Sequence, residues 1–286
     1  MRLRLRSRRF TLCADDFGQS EAINRAIIEL VRVWRLGATS VLSDGPAWPE
    51  GARVLRDLAH MADIGLHLNL THPFDGVSGT RPLLWWMAAA PRGMVKVDAV
   101  RAAFSRQIDA FVKHFGRLPD YIDGHQHVHA FPQIREVVTD LIAEVWTGDA
   151  KPWVRAPDRL VDSGGVPLKG WVLKRLARGF SEHLAREGLV FPSRFGGLYS
   201  LQPDARYPRL MRRWLHGLPS GTLLMCHPGH ESFSLSDPIR EARFEEYLYL
   251  SGVALPADCE AADASLVRFA DLESDAVSAE YPLPVA

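Results

Sequence analysis

The hydrophobic pattern of the chain switches repeatedly between strand-like and helix-like spacing. Short apolar runs with the length of strands occupy residues 9–14, 38–43, 63–70, 119–124, 152–157 and 221–230, the last of which continues into a loop. Helical spacing occurs between them, over residues 20–37, 49–61, 98–116, 132–146 and 170–187. Alternating strands and helices predict an α/β fold with a parallel sheet, a distorted, TIM-type (β/α) barrel-like arrangement.

The first predicted helix shows how these elements are bounded. Ser20 is the expected N-cap and Gly37 the expected stop. Its apolar stripe consists of Ile23, Ala26, Ile27, Leu30 and Val31. We expect one domain over residues 1–286, with an irregular insertion at about 71–97 and a C-terminal extension at about 255–286.

Length and charge narrow the class of protein. The chain has 286 residues, within the range of a single α/β barrel, and its net charge is zero, which predicts no nucleic-acid partner. Three widely separated cysteines favour a reducing, cytoplasmic location. No apolar run could span a bilayer. The basic start "MRLRLRSRRF" is expected to be solvated, although contact with an anionic membrane surface stays open.

Ionisable residues follow directly after several predicted strands. Asp15 and Asp16 end the first, His67 lies in the third, His125 follows the fourth, and His227 ends the last. Because the carboxyl ends of barrel strands face one common mouth, we expect these side chains to converge.

Each of these residues alone has an ordinary structural interpretation, but the set has a chemical one. Asp16, His67 and His125 form a two-histidine, one-carboxylate set that would leave positions open on a metal. Asp15 and His227 then remain as base and acid, the inventory for metal-assisted hydrolysis. The same ligands also suit non-haem iron oxygenases.

Three histidines alternate in "DGHQHVHAF". A continuing strand would place His125, His127 and His129 on one face, whereas a helix would pair the first with the third. Gly124 predicts that the strand breaks there. We therefore expect His125 to be the ligand, and His127 and His129 to contact the substrate or support the ligands.

Four motifs resemble the YdjC-like carbohydrate deacetylases, in the family's order: "ADDFG", "DIGLHLNLT", "DGHQHVHAFPQI" and "MCHPGH". That family includes chitooligosaccharide deacetylases of the ChbG type and hopanoid-biosynthesis-associated deacetylases of the HpnK type. The residues of the motifs "DGHQH" and "MCHPGH" resemble the HpnK branch more closely. The resemblance implies a (β/α)-barrel-like fold and one divalent metal ion held by Asp16, His67 and His125. It further implies Asp15 as general base and His227 as general acid or oxyanion stabiliser.

Two positions depart from the family's pattern. Asp44 stands where the family often has Asn and is expected to alter substrate contacts, and Cys13 stands where Asn or Thr is usual. Neither belongs to the proposed metal set.

The expected reaction is hydrolysis of the acetyl group from an N-acetylated amino sugar, either a chito-oligosaccharide or an N-acetylglucosaminyl lipid. Another metal-dependent hydrolase, such as a phosphoesterase, and a non-catalytic carbohydrate-binding protein are the alternatives. Two histidine ligands favour zinc over magnesium. Aromatic side chains expected to line a sugar platform are Trp85, Trp86, Phe195 and Tyr199. Peripheral membrane contact and a homodimer are compatible with the sequence.

Overall fold

A curled parallel sheet with helices around it forms the frame of the protein. The computed structural model describes residues 7–148, 150–232 and 237–272. The strands in these ranges are Arg8–Phe17 (β1), Ala38–Val41 (β2), Asp63–Leu68 (β3), Tyr121–Gly124 (β4), Trp153–Val154 (β5), Arg194–Gly196 (β6), Thr222–Cys226 (β7) and Ala264–Leu266 (β8). Within them the sheet order is β5-β4-β3-β2-β1-β7-β6, and β8 adds to the first residues of β1.

Helices connect successive strands and cover the sheet. They are Glu21–Arg32 (α1), Trp48–Leu58 (α2), Leu83–Ala89 (α3), Val97–Phe115 (α4), Ile134–Val145 (α5), Pro167–Leu176 (α6), Phe180–Arg186 (α7), Tyr207–Gly217 (α8), Arg240–Ser251 (α9) and Ala254–Ala261 (α10). All strand pairs are parallel, which confirms the predicted barrel-like α/β fold, here as an open half-barrel. No helix among the described residues is long and apolar enough to cross a membrane.

The first helix follows its sequence pattern except at its end. Ser20 accepts a hydrogen bond from the backbone N–H of Ile23 at 3.3 Å, and all five residues of the predicted stripe are buried. The helix ends at Arg32, however, five residues before the predicted stop at Gly37. A Cβ atom at Gly37 would lie 2.2 Å from the carbonyl oxygen of Val267, so this glycine allows a close backbone approach rather than capping a helix.

Three segments differ from the predicted pattern. The single helix expected over 170–187 is two helices, α6 and α7, separated by Gly179 at φ 77°. The segment 71–97, expected to be irregular, contains α3. The C-terminal extension contains most of α10 and all of β8, and its part beyond residue 272 lies outside the described residues, as do residues 1–6 of the basic start.

A bulge in β1 prepares the site. The pairing of β1 with β2 slips between Ala14 and Phe17, and Asp16 adopts a left-handed conformation with φ 70°. Bulges and left-handed non-glycine residues redirect side chains at the ends of strands. Strand alternation alone would point Asp15 and Asp16 to opposite sides, and this distortion lets both border the same cavity.

Candidate active site

A cavity of about 720 Å³ opens at the carboxyl ends of the strands. Its floor is polar and its walls are mainly apolar. The floor contains the five predicted chemical residues, Asp15, Asp16, His67, His125 and His227. The sequence therefore identified the residues that converge at the mouth of the sheet.

Asp16, His67 and His125 form one compact group. The Nε2 atoms of His67 and His125 lie 3.5 Å and 3.9 Å from Oδ1 of Asp16. This buried oxygen has no hydrogen-bond partner in the described part of the chain. Ligand atoms on one tetrahedral ion lie about 3.4 Å apart, since each is about 2.1 Å from the metal. Both distances to Oδ1 of Asp16 are close to this value, whereas the two histidine nitrogens lie further from each other than one ion requires, so a bound ion would draw the rings together.

Both histidine rings are held through their other nitrogen. Nδ1 of His67 lies 2.6 Å from Oδ1 of Asp123, and Nδ1 of His125 lies 2.6 Å from Oγ1 of Thr71. Burial alone would lower the pKa of His67, but the carboxylates of Asp123, Asp15 and Asp16 outweigh it and raise that pKa, so a metal ion would have to displace a proton from Nε2 while Asp123 keeps the ring oriented. Burial lowers the pKa of His125 to about 3, which keeps that ring neutral.

Asp16 is also fixed on its second oxygen. Arg243, from α9, donates to Oδ2 of Asp16 at 2.7 Å and to Asp237 at 2.7 Å. Burial would raise the pKa of Asp16, but Arg243 and the surrounding histidines outweigh it and hold that pKa well below its usual value. The carboxylate is thus ionised, with one oxygen committed to Arg243 and the other directed at the histidines.

Asp15 has a different environment from its neighbour. Arg155, fully buried at the end of β5, donates to both its oxygens, at 2.7 Å and 2.6 Å. Burial opposes ionisation, but the guanidinium keeps the pKa of Asp15 well below its usual range. Asp15 is therefore a permanent carboxylate within 3.9 Å of Nε2 of His227.

His227 is placed between two carboxylates. Its backbone N–H donates to Glu246, and its Nδ1 lies 3.9 Å from Oε1 of the same residue. Burial lowers the pKa of His227 to about 4 and raises that of Glu246 to about 7, although Tyr199 donates to Glu246 at 2.6 Å. Tyr199 was predicted to be part of a sugar platform. It instead holds Glu246, the residue that contacts His227.

A second group of potential metal ligands surrounds Arg155. Cys13, Asp15 and Asp123 lie close enough to share an ion. The guanidinium already fills this space, donating to Cys13 at 3.1 Å and lying 2.6 Å from Asp123. Since a cation is present and hydrogen-bonded, we assign this group to structure rather than to metal binding.

The other two histidines of the motif lie apart from Asp16, His67 and His125. The chain turns after Gly124 into an irregular 3-10 segment in which Gln126 and His127 have φ of 53° and 62°. His127 borders the cavity and packs edge-on against Phe195 at 5.2 Å between ring centres. His129 is fully buried, with Nε2 2.9 Å from the carbonyl of Arg155, so a substrate contact by this ring is not supported.

The predicted tryptophan platform lies outside the cavity. Trp86 is buried and donates to the carbonyl of Leu70 at 3.0 Å, and Trp85 packs edge-on against it. Two other residues of the same short helix, Leu83 and Met87, line the cavity wall. The sequence predicted an irregular segment here, but the chain forms a helical turn. One face of this helix borders the cavity, and both indoles lie on other faces.

Asp44 also lies outside the main cavity. It borders a smaller space of about 230 Å³ and accepts from the amide of Asn69 at 3.0 Å. Burial raises the pKa of Asp44 to about 6. The structure therefore does not support the predicted substrate contact by this residue in the main cavity.

Sequence reasoning missed the residues that hold the chemical groups in place. Arg155 had a usable signal, because a lone arginine follows an apolar strand in "PWVRAP". Asp123 was inside the histidine motif. Arg243 and Glu246 lie on α9, far in sequence from the end of any strand. Nothing in their local sequence pattern marks them as site residues.

Two curated relatives match part of the chain in sequence. Two chitooligosaccharide deacetylases, from Escherichia fergusonii and Citrobacter koseri, are each 35% identical to the chain over 137 residues. These alignments cover 46% of the chain and 54% of each relative, so the chain spans about half the length of the curated relatives it matches.

A solved structure and a family description cover more of the molecule. A protein of Enterococcus faecalis described as a cellobiose-phosphate cleavage protein superposes with a TM-score of 0.68 at 20% identity, over 93% of this chain and 99% of that one. This likeness shows the fold. The family described as YdjC-like protein matches residues 9–261 of the chain. These include every residue of the site described above. The chain therefore belongs to the YdjC-like family.

Proposed function

We propose that the protein is a metal-dependent N-deacetylase that releases acetate from an N-acetylated amino sugar. The observation that carries this proposal is the placement of Asp16, His67 and His125 around one orphaned carboxylate oxygen, with Asp15 and His227 beside them. The name and 35% identity of the two chitooligosaccharide deacetylases support it.

The donor types and the short distances of both histidines to Oδ1 of Asp16 support a divalent ion held by Asp16, His67 and His125. When bound, such an ion polarises the acetamide carbonyl and lowers the pKa of water to about 7. Two imidazoles favour zinc on ligand preference, with magnesium as the alternative.

Asp15 is suited to take the proton from the attacking water. Arg155 keeps it ionised, so the base is always in its accepting form, and the two hydrogen bonds fix its orientation. General bases contribute typically about 10²–10⁴-fold, and positioning is part of that effect.

His227 is suited to protonate the leaving amine. With a pKa of about 4, the ring is neutral in the free protein at neutral pH. We infer that the proton it delivers is one released in the reaction itself, taken from water by Asp15 and passed across the 3.9 Å between Oδ2 and Nε2. Hydrolysis then balances, since water adds hydroxyl to the acetyl carbon and its proton to nitrogen.

The cavity walls favour a lipid-linked sugar over a soluble chito-oligosaccharide. Carbohydrate sites usually present many polar groups, whereas these walls are formed largely by aliphatic side chains: Leu83, Met87, Val166, Val172, Leu173, Leu176, Leu198, Leu201 and Ile239. An N-acetylglucosaminyl lipid would place its acetamide at the polar floor and its apolar part along these walls. A closer relation to the HpnK branch would agree with this substrate and stays a prediction.

The test is acetate release from N-acetylglucosaminyl compounds, soluble and lipid-linked. The protein is stripped of metal and then given Zn²⁺, Mg²⁺, Co²⁺ or Ni²⁺. We expect metal-dependent acetate release that is lost in His125→Ala and kept in His216→Ala, a matched change at an exposed histidine on α8. Metal binding without acetate from any substrate would contradict deacetylation and favour another hydrolysis or a binding role.

A further inference from the structure

Large apolar side chains continue from the cavity wall onto the surface. On α3, Leu83 and Met87 line the cavity, and Leu84 between them is 75% exposed. On α6, Leu168 borders the cavity while 73% exposed, and Trp171, one turn further, is 65% exposed. Apolar side chains grouped in this way at the surface mark an interaction site.

The two segments that carry these residues have only positive charge. Residues 76–97 and 163–181 contain no Asp or Glu, and their basic residues are Arg81, Arg92, Lys96, Lys169, Lys174, Arg175 and Arg178. Seven of the 34 basic residues lie here, so the rest of this neutral chain has 27 basic residues against 34 acidic ones. One acidic residue lies directly at each end of the two segments (Asp75, Asp98, Asp162 and Glu182), and with these four the net charge is still +3, in a chain whose total is zero.

We propose that these two segments, the cavity rim, bind the surface of an anionic lipid bilayer. Tryptophan and leucine insert at the boundary between headgroups and acyl chains, while lysine and arginine attract anionic headgroups. Two separate elements bordering the same opening carry the same combination of side chains. This repetition suits an extended, uniformly anionic partner better than a protein with one acidic patch.

Docking in this orientation turns the cavity opening toward the headgroups. A substrate anchored in the bilayer then reaches the polar floor of the cavity without crossing bulk water. This consequence rests on the proposed deacetylase function, but the binding itself does not, so vesicle binding and acetate release are measured separately.

The experiment is co-sedimentation of the full chain with vesicles of phosphatidylcholine alone or with phosphatidylglycerol added. We expect binding to the anionic vesicles that exceeds binding to the neutral ones by about tenfold or more and weakens as salt is raised. The variant Lys174→Glu with Arg175→Glu reverses two charges in the last turn of α6 and should weaken binding by about tenfold or more. Trp171→Ala should weaken it by about fivefold.

Matched controls exist at the opposite end of the sheet. Trp34, 59% exposed in the connection from α1 to β2, is the counterpart of Trp171. Arg56 and Lys113, in the last turns of α2 and α4, are the counterparts of the α6 pair. Trp34→Ala and the double variant Arg56→Glu with Lys113→Glu should bind vesicles as the unaltered protein does.

Several outcomes would overturn the proposal. These are absence of vesicle binding, equal binding to neutral vesicles, and equal loss of binding in the control variants. If both rim variants bind anionic vesicles as strongly as the unaltered protein, the binding would be assigned to another basic segment, such as residues 1–6. Self-association that Trp171→Ala abolishes, without vesicle binding, would make the rim an interface between copies of the chain.

Discussion

Two adjacent carboxylates at the end of β1 belong to two different clusters. Asp15 lies in a closed cluster, where Arg155 occupies both its oxygens. Asp16 lies in an open cluster, where one oxygen faces His67 and His125 and has no hydrogen-bond partner in the described residues. A one-residue step, made possible by the bulge and the left-handed backbone of Asp16, separates the proposed base from the proposed metal ligand.

The difference shows that neighbouring residues of one type acquire their chemistry from the cation opposite them. A guanidinium that saturates a carboxylate keeps it ionised and oriented. A guanidinium that occupies only one oxygen, as Arg243 does, leaves the other available to a metal.

Removing the charge of Asp15 should have the largest effect. Asp15→Asn keeps the size of the side chain but cannot accept the proton of water, so acetate release should fall by about 10³-fold. Metal affinity should change little, because the ligand set is untouched. Steady-state kinetics and metal titration check this. Loss of metal with loss of activity would mean that the two clusters do not have separate roles.

Breaking the closed cluster should be the largest change in stability. Arg155→Met leaves Asp15 and Asp123 buried without their cation, and the free energy of unfolding should fall by about 3–5 kcal/mol. Arg101→Met, which removes an exposed pair with Glu144, should lower it far less, because water screens that pair. Urea unfolding measures the stability of both variants. Equal losses of unfolding free energy would show that the buried cluster stabilises the fold no more than an exposed ion pair does.

The pH dependence of stability should reveal Glu246 beneath His227. Its pKa rises from 4.5 to about 7 on folding, so between these values the folded protein keeps a proton that the unfolded chain releases. The free energy of unfolding should therefore fall as pH rises through this window, by about 3 kcal/mol in total.

Glu246→Gln should remove this fall and leave a flatter curve. The exposed Glu187→Gln, whose side chain faces water in both states, is the control and should run parallel to the unaltered protein. Unfolding measured in urea at intervals from pH 4.5 to 7.5 distinguishes the curves. Parallel curves for both variants would show that Glu246 is ionised throughout.

The smallest expected effect concerns the orientation of His125. Thr71→Val keeps the shape of the side chain but removes the oxygen 2.6 Å from Nδ1 of the ring. Support of this kind typically contributes about 10–100-fold in metal affinity, and the loss should be at the lower end for a hydroxyl. Titration with Zn²⁺ measures it. An unchanged affinity would place the ion elsewhere than on His125.

The sequence predicted the fold and the convergence of the floor, but not the supports. Strand-end positions of Asp15, Asp16, His67, His125 and His227 followed from hydrophobic periodicity, because parallel strands bring their carboxyl ends together. Arg243 and Glu246 come from α9, where spacing carries no signal, whereas Arg155 was marked only as a lone arginine after a short apolar strand. Trp85 and Trp86 were misplaced because a short helix in the insertion turned them away from the cavity.

Asp123 gives the molecule a built-in constraint on how it can diverge. One of its oxygens fixes His67 and the other lies against Arg155 and accepts from Ser40, so the closed and open clusters share a single carboxylate. Substitutions in the two clusters should therefore be strongly epistatic, with few single steps tolerated. In the described residues no carboxylate ties the aliphatic side chains of α3 and α6 to the floor, and new substrate ranges, natural or engineered, are expected to arise there.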